Sequence, residues 1–580
     1  MNSNIDIHLV FANYFEDPII QKVAYSCSEK LFEGHICVSI DSLLETHEDP
    51  SIDALLNNKW IGNADDLTKP FIKNGECLYM QRYYLYETAI LDKISNLISS
   101  ESASPSTILN DLVLNEKMSS WFSSSSKEPD WQLVAVLMAL QHHFSIITGG
   151  PGTGKTTTIA KLLGILYSID PKLKIALAAP TGKAAVRIKE SLIVAANQLS
   201  GLNADARQHF ESIPSTTIHR LLGARKGTHR FKHDATQPLP YDWVIVDESS
   251  MIGVSLMSKL MDAIPDDRHL ILLGDQNQLA AVEAGSLLGD MCMAEQASRN
   301  KFSLATLESI NQLSPYKFDN SYSASTFNIL TEHIVELQKS YRFDSKSAIG
   351  ILSAKMLNNQ LNINDLMDLD LMNDKAIVWK KTYSSVDFNL FYPFYEAYIK
   401  AEKPEEALIL FQQIRVLCPT HEGEFSVEYF NASIEQYLKQ RGLIHPNAYF
   451  YEHRPVMITQ NDYQLNLFNG DIGIVRYNDQ KQLKVYFEID GQIKPIDPSA
   501  LQHFETVFAM TIHKSQGSEF ERVALIIPQV KDSAWLSREL IYTGITRAKK
   551  QLFLMADASV LLQASQLPNR NVSGITKRLA

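Results

Sequence analysis

Cysteine is scarce and scattered: Cys27, Cys37, Cys77, Cys292 and Cys418 are the five in 580 residues, with no CxxC pair among them. That spacing suggests neither a zinc site nor an iron–sulfur cluster, and it fits a reducing, cytoplasmic setting. No apolar run approaches the ~20 residues of a bilayer span, so no membrane segment is expected. The opening MNSNIDIHLVFANYF lacks a basic stretch followed by an apolar one, so no signal peptide is expected either. Positive charge is also in deficit. The net charge is −12, and residues 1–130 hold 20 Asp and Glu against 9 Lys and Arg. An acidic front end repels a phosphate backbone and reads better as a protein-docking module. Its histidines His8, His35 and His47 stand alone in sequence, which favours surface or core positions over ligand sets.

Glycine is concentrated where it matters. Gly149 to Thr158 read GGPGTGKTTT, after the apolar run Phe144–Thr148 and before the amphipathic start Ile159–Leu163. Strand, glycine-rich loop and helix together give a GxxxxGK[ST] match its meaning. Backbone N–H groups of Gly149, Gly150, Pro151's neighbours, Gly152, Thr153 and Gly154 can cradle phosphates, and the helix start adds partial positive charge. Lys155 reaches the β- and γ-phosphates, Thr156 offers a hydroxyl to Mg²⁺, and Thr157 continues the turn. The chain is expected to bind ATP.

Further motifs follow in order. Asp130-Trp131-Gln132 opens a helix, where Gln132 either hydrogen-bonds an adenine edge or is a surface glutamine. Lys174–Ala179 forms a second strand leading into Pro180-Thr181-Gly182-Lys183, whose hydroxyl and cation suit a phosphodiester. Ser215–Leu221 repeats that flavour with His219. Residues 225–241 (RKGTHRFKHDATQPLPY) are basic and turn-rich, either a protruding hairpin or a surface loop. Trp243–Val246 ends in Asp247 and Glu248, an apolar strand delivering two carboxylates: Asp247 for Mg²⁺, Glu248 to polarise the attacking water. Leu270–Leu273 leads into GDQNQ, where Gln278 can sense the γ-phosphate.

Residues 299–330 are polar and read as a loop-rich insertion. Beyond them, Ala407–Leu410, Val416–Cys418, Val523–Ile527 and Leu552–Met555 are expected strands of a second parallel α/β lobe. Between 454 and 508, short β-like pieces separated by NGD, NDQ and DG turns indicate a small β-barrel-like insertion. The expected architecture is therefore α/β. An acidic, mostly helical domain spans 1–125, and a first parallel-sheet lobe spans 126–335 with a small hairpin insertion near 225–241. A second lobe spans 336–580, with the β insertion at about 450–508.

Taken in order, GGPGTGKT, APTGKAA, TIH, VDESSM, GDQNQL, SYRF, TIHKSQGSEF and YTGITRAKK resemble the motif set of superfamily 1 helicases. The resemblance implies two RecA-like motor lobes driven by ATP and Mg²⁺, with Gln132 reading adenine and Gln278 coupling γ-phosphate to DNA. It implies Arg342 and Arg547 as arginine fingers from the second lobe. It also implies Thr181, Lys183, His219, Thr511 and His513 along a single-strand DNA track, with 5′→3′ movement. SYRF (340–343), NDYQLNLFNGDIG (461–473) and LYMQRYYLYE (78–87) are more specific. They resemble the motor subunits of bacterial helicase–nuclease heterotrimers that repair broken DNA, which dock onto two larger subunits. No Asp/Glu/Lys cluster resembling a nuclease site is evident. A stand-alone helicase of the same family, without the extra N-terminal part of its longer members, and a mainly regulatory assembly subunit are the competing expectations.

Overall fold

The computed structural model describes residues 6–45, 58–101, 120–122, 127–202, 204–225, 228, 230–280, 283–285, 287–342, 347–371, 376–462, 464–489, 491–529, 536–567 and 573–579. The serine-rich stretches at 99–106 and 119–126, which read as loops or a linker in the sequence, fall mostly outside these residues. Among the described residues no helix is long and apolar enough to cross a membrane.

The N-terminal region carries helices Pro18–Phe32 and Gln81–Ser99. It also carries a four-stranded sheet that was not anticipated: β1 (Cys37–Ser39), β2 (Ile61–Gly62), β3 (Phe71–Asn74) and β4 (Cys77–Met80), in order β1-β4-β3-β2. Strands of two to four residues are too short to show a period-2 pattern. Ile90, Ile94 and Leu97 of the Gln81–Ser99 helix are buried on the next sheet, so this helix belongs to the packing of the first lobe.

That next sheet is six-stranded and parallel: β5 (Phe144–Gly149), β6 (Ile175–Ala179), β7 (Ser215–Thr217), β8 (Trp243–Val246), β9 (His269–Gly274) and β10 (Ile334–Leu337), in order β10-β5-β9-β8-β6-β7. Its central strands are largely apolar because both faces are covered, while the edge strand β7 is Ser-Thr-Thr. Successive side chains go to opposite faces. Ile147, Ile245 and Ile271 pack with helices Trp131–Gln141 and Lys155–Ile169. Ile146, Val244, Val246 and Leu270 pack with helices Val254–Asp262 and Leu287–Ala294.

The second lobe holds β11 (Ile377–Lys380), β12 (Ile414–Cys418), β18 (Ala509–Thr511), β19 (Phe520–Ile526) and β20 (Ala548–Met555), parallel in order β11-β20-β19-β12-β18. Between β12 and β18 lies a five-stranded antiparallel sheet of β13 (Pro455–Ile458), β14 (Ile472–Tyr477), β15 (Leu483–Ile489), β16 (Gln492–Ile496) and β17 (Phe504–Thr506). It has its own core of Val456, Val475, Val485 and Phe487.

Four expectations are corrected. Ala407–Leu410 is not a strand but part of helix Pro404–Phe411, started by Pro404 at the first turn with Glu405 and Glu406 beside it. The stretch 299–330 is not all loop: Ser303 caps helix Leu304–Leu313 through its hydroxyl. The described part of 225–241 holds one antiparallel bridge, Asp234 with Gln237, and no named strand. Finally, helix Ile575–Leu579 leaves the second lobe and buries Ile575 and Leu579 in the first-lobe core. Glu87 anchors that crossing, accepting from Gly574 N at 3.1 Å and from Arg578 Nη1 at 3.0 Å.

Candidate functional site

The loop after β5 turns through two left-handed glycines, Gly152 (φ 77°) and Gly154 (φ 87°). A side chain there would meet strain and a neighbour together, since a Cβ on Gly152 would collide with Arg342 and one on Gly154 with Gln132. Helix Lys155–Ile169 starts with no side-chain cap, so its first N–H groups are left for an anion. Lys155 Nζ donates to the carbonyls of Gly149 (2.6 Å) and Gly150 (3.3 Å), which puts the ammonium over the loop.

Asp247 and Glu248 leave β8 beside this loop. Burial pushes the Asp247 carboxyl up to about 6, and the neighbouring Glu248 charge adds to it against the pull of Lys155 and Arg187. Two adjacent carboxylates at the end of a strand fit a divalent cation, with Thr156 on the same cavity wall. Glu248 is held in the left-handed region (φ 51°, ψ 41°), and its N–H donates to Asp247 Oδ1 at 2.9 Å. For a non-glycine residue this conformation costs about 1–2 kcal/mol. The strain turns the carboxylate out of the strand line.

The cavity so formed is about 610 Å³. It gathers Gln132, Pro151, Gly152, Thr153, Gly154, Lys155, Thr156, Thr157, Asp247, Glu248, Gln278, Arg342 and Arg547, while Gly149 and Gly150 lie behind its wall. Gln132 is buried with both ends of its amide engaged: Nε2 donates to Thr153 O (3.3 Å) and Oε1 accepts from Lys161 (2.8 Å). Gln278 donates to Asp275 Oδ2 at 3.1 Å, where the Tyr542 hydroxyl also donates at 3.1 Å. Leu279, next in sequence, bonds the second lobe at both ends: its N–H donates to Thr543 Oγ1 and its carbonyl accepts from Gln516.

Arg547 is buried on the second-lobe wall, with Nη1 donating to Ser518 O at 3.1 Å. Arg342 corrects an expectation. It is not supplied by the second lobe, because β10 pairs in parallel with β5 and delivers Ser340–Arg342 directly onto the phosphate loop. Tyr341 N donates to Gly152 O at 2.7 Å. Pairing partners with four strands between them in sequence leave no local trace in the motif SYRF, which is why the first-lobe origin was not legible.

Of the lining residues that the sequence reading passed over, three bear directly on the cavity's chemistry. Tyr341 stands 65% exposed on the cavity wall beside Gly154, a ring available for stacking. Arg187 and Glu519 face each other across the lobes at 2.6 Å. Glu519 lies inside the recognised TIHKSQGSEF block, so that signal was present but unused.

The expected track residues fall at the carboxyl ends of parallel strands, where open α/β sheets bind ligands. Thr181 follows β6 and caps the next helix through Ala184 N (3.3 Å), His219 follows β7 and is exposed. Thr511 ends β18 and His513 follows it, exposed. Lys183 departs from this set. It lines a separate cavity with Phe468 and Asp471 of the antiparallel insertion. Burial pulls its ammonium down to about 8 while Asp471 pulls it up.

An AAA-domain family model matches residues 132–284, and a UvrD-like helicase C-terminal domain model matches residues 506–555. Two parallel-sheet lobes closing on one phosphate-loop cavity, with these matches on either side of it, define a superfamily 1 ATP-dependent DNA helicase. The RecD subunit of the RecBCD enzyme from Buchnera aphidicola subsp. Acyrthosiphon pisum is 32% identical over 531 residues, covering 88% of this chain and 84% of that protein. The RecBCD subunit RecD of Haemophilus influenzae is 34% identical over 498 residues, covering 80% and 75%. The ATP-dependent RecD2 DNA helicase of Deinococcus radiodurans is 28% identical over 437 residues, covering 74% of this chain and 50% of that protein. The chain belongs to the RecD family.

Proposed function

We propose that this chain is the 5′→3′ DNA translocase and helicase subunit of a RecBCD-type helicase–nuclease. It would assemble with RecB-like and RecC-like subunits in a cytoplasmic heterotrimer that processes double-strand ends for repair and recombination. The observation that carries the reading is one cavity walled by both lobes, in which Lys155 and Glu248 face Arg547 and Glu519. Hydrolysis in such a cleft changes what the lobes have to hold together.

In this reading Lys155 and the loop N–H groups bind the β- and γ-phosphates, and Arg342 and Arg547 neutralise charge developing on the γ-phosphoryl. Such a guanidinium is worth roughly 10³–10⁵ in rate. Thr156 and Asp247 would hold Mg²⁺, which supplies further neutralisation of the phosphates. Glu248 accepts a proton from the attacking water. Gln278 reports the state of the phosphate to the second lobe through Leu279. Thr181, His219, Thr511 and His513 hold single-stranded DNA through its backbone, without reading sequence. The acidic N-terminal region, 1–125, is the docking surface for the large partners, and exodeoxyribonuclease V activity resides in the assembled complex.

Strand displacement on duplexes with only a 5′ or only a 3′ single-stranded tail tests the motor. Unwinding confined to the 5′-tailed duplex is expected, and unwinding confined to the 3′-tailed duplex would overturn the polarity. Co-purification with two larger subunits separates this reading from a stand-alone RecD-like helicase, which would elute alone and unwind alone.

A further inference from the structure

A cluster with no part in the nucleotide cavity lies at the opposite, amino-terminal edge of the first sheet. His142 caps helix Trp131–Gln141 just before β5, and His333 stands just before β10. Those two strands pair with Ile334 opposite Ile146, which brings the two histidines side by side, ring centroids 4.2 Å apart. Glu101 arrives from elsewhere, just past helix Gln81–Ser99 of the N-terminal region. One ligand atom from each of Glu101, His142 and His333 lies within 4.8 Å of the other two.

The donors are arranged as ligands with supporting contacts. Glu101 Oε2 is 2.9 Å from His142 Nδ1, and Oε1 is 3.9 Å from His333 Nδ1 while accepting from His143 N at 2.8 Å. His333 is buried, and its Nδ1 lies 2.9 Å from Phe144 O. His142 Nε2 is buried with no hydrogen-bond partner among the described residues. An unsatisfied buried nitrogen costs about 1–3 kcal/mol.

We propose that Glu101, His142 and His333 form a site for one divalent transition ion of the zinc type, tying the end of the N-terminal helix to the first motor lobe. Two imidazoles with one carboxylate favour such borderline ions over Mg²⁺ or Ca²⁺, which prefer all-oxygen sets. Three protein donors leave a fourth position for water. The site is chemically separate from the Mg²⁺ position at the phosphate loop, because its ligands sit at the other end of β5.

The test uses the full-length chain, stripped of metal, loaded with Zn²⁺ or Co²⁺ in excess Mg²⁺ and passed through gel filtration. Retained metal is then counted by mass spectrometry. One ion per chain is expected, with the visible absorption of low-symmetry Co²⁺, falling to none in His333→Gln and in Glu101→Gln. Zn²⁺ should raise Tm in the parent chain and not in these variants. Glu101→Gln leaves both sheet histidines in place, so it carries the same readout if His333→Gln fails to fold. The exposed His421, Glu422 and Glu428 provide the control. Retention abolished by His421→Gln, retention unchanged in the two site variants, or no retention at all would each overturn the proposal, leaving a Glu101–His142 hydrogen bond only.

Discussion

Arg342 Nη2 lies 2.6 Å from Glu519 Oε1, joining the first-lobe strand that ends at the phosphate loop to the second-lobe segment that leads into β19. Arg187 reaches the other carboxylate oxygen at 2.6 Å, and its Nη1 donates to Gly517 O at 2.5 Å. One carboxylate therefore holds two guanidiniums across the cleft that the nucleotide must enter. Burial alone would raise the Glu519 carboxyl, but Arg187, Arg342 and Arg547 outweigh it and hold it down at about 2. In the proposed function a phosphate group entering the cavity would compete with Glu519 for the same guanidiniums, linking closure and nucleotide binding through this residue.

Glu519→Gln should accordingly weaken the closed cleft. The folded carboxyl titrates near 2 against an ordinary 4.5, so its stabilisation is complete above about 4.5 and drains as pH falls toward 2. The ceiling on that contribution is about 3 kcal/mol. Urea unfolding of both chains between pH 3 and 7 checks it: the parent should be more stable at pH 7, with the gap shrinking below 4.5. A gap independent of pH would mean that the ion pairs contribute nothing.

Glu248 combines the chemical role proposed for it with a strained backbone, and the two can be separated. Glu248→Gln keeps the left-handed strain and removes the proton acceptor, so hydrolysis should fall by about 10²–10⁴-fold with ATP still bound. Glu248→Gly removes both, and should lose hydrolysis equally while gaining up to about 1 kcal/mol of stability. Single-turnover hydrolysis and denaturant midpoints measured on the same preparations decide it. Near-parent turnover in the Gln variant would remove Glu248 from the chemistry.

What was legible in the sequence follows a physical divide. The phosphate loop, the carboxylates at the end of β8 and the apolar strands of both sheets depend on spacings within about ten residues, and these could be read directly. Arg342 could be picked out but not placed, because its position depends on β10 pairing with a strand almost two hundred residues earlier. Ala407–Leu410 misled because four apolar residues look alike in a strand and in a buried helix, and Pro404 with its following glutamates was the overlooked cue. Lys183 reads as a phosphate ligand beside Thr181, but the separate cavity it lines with Asp471, far along the chain, could not be read from its motif. Helix Ile575–Leu579 crossing back to Glu87 had no local signature at all.

Tyr341 should set the grip on the nucleobase. Its ring is exposed on the cavity wall beside Gly154, and base–aromatic stacking is worth about 1–3 kcal/mol. Tyr341→Ala should raise the KM for ATP roughly tenfold or more with kcat little changed, whereas Tyr341→Phe should stay near the parent value. Steady-state ATPase with saturating single-stranded DNA measures both. Equal losses in the Ala and Phe variants would assign the hydroxyl, not the ring, as the working group.

The antiparallel insertion touches the first lobe through Phe468, whose side chain closes on Gly182. A Cβ on Gly182 would sit 2.6 Å from Phe468 Cδ1 and Cγ, closer than real contacts allow. Alanine ordinarily stabilises a helical position relative to glycine by about 1 kcal/mol. Here the collision should win, because Phe468 is held in its loop by Asp471, which accepts its N–H at 2.7 Å. Gly182→Ala should therefore destabilise the chain by about 1–3 kcal/mol, the usual cost of overpacking. Phe468→Ala removes the obstacle, so the double variant should recover most of the loss, a coupling of about 1 kcal/mol or more in a double-mutant cycle. DNA-stimulated ATPase should follow the same order, falling in Gly182→Ala and returning in the double variant. Additive effects of the two substitutions would show that the insertion and the first lobe do not bear on one another at this contact.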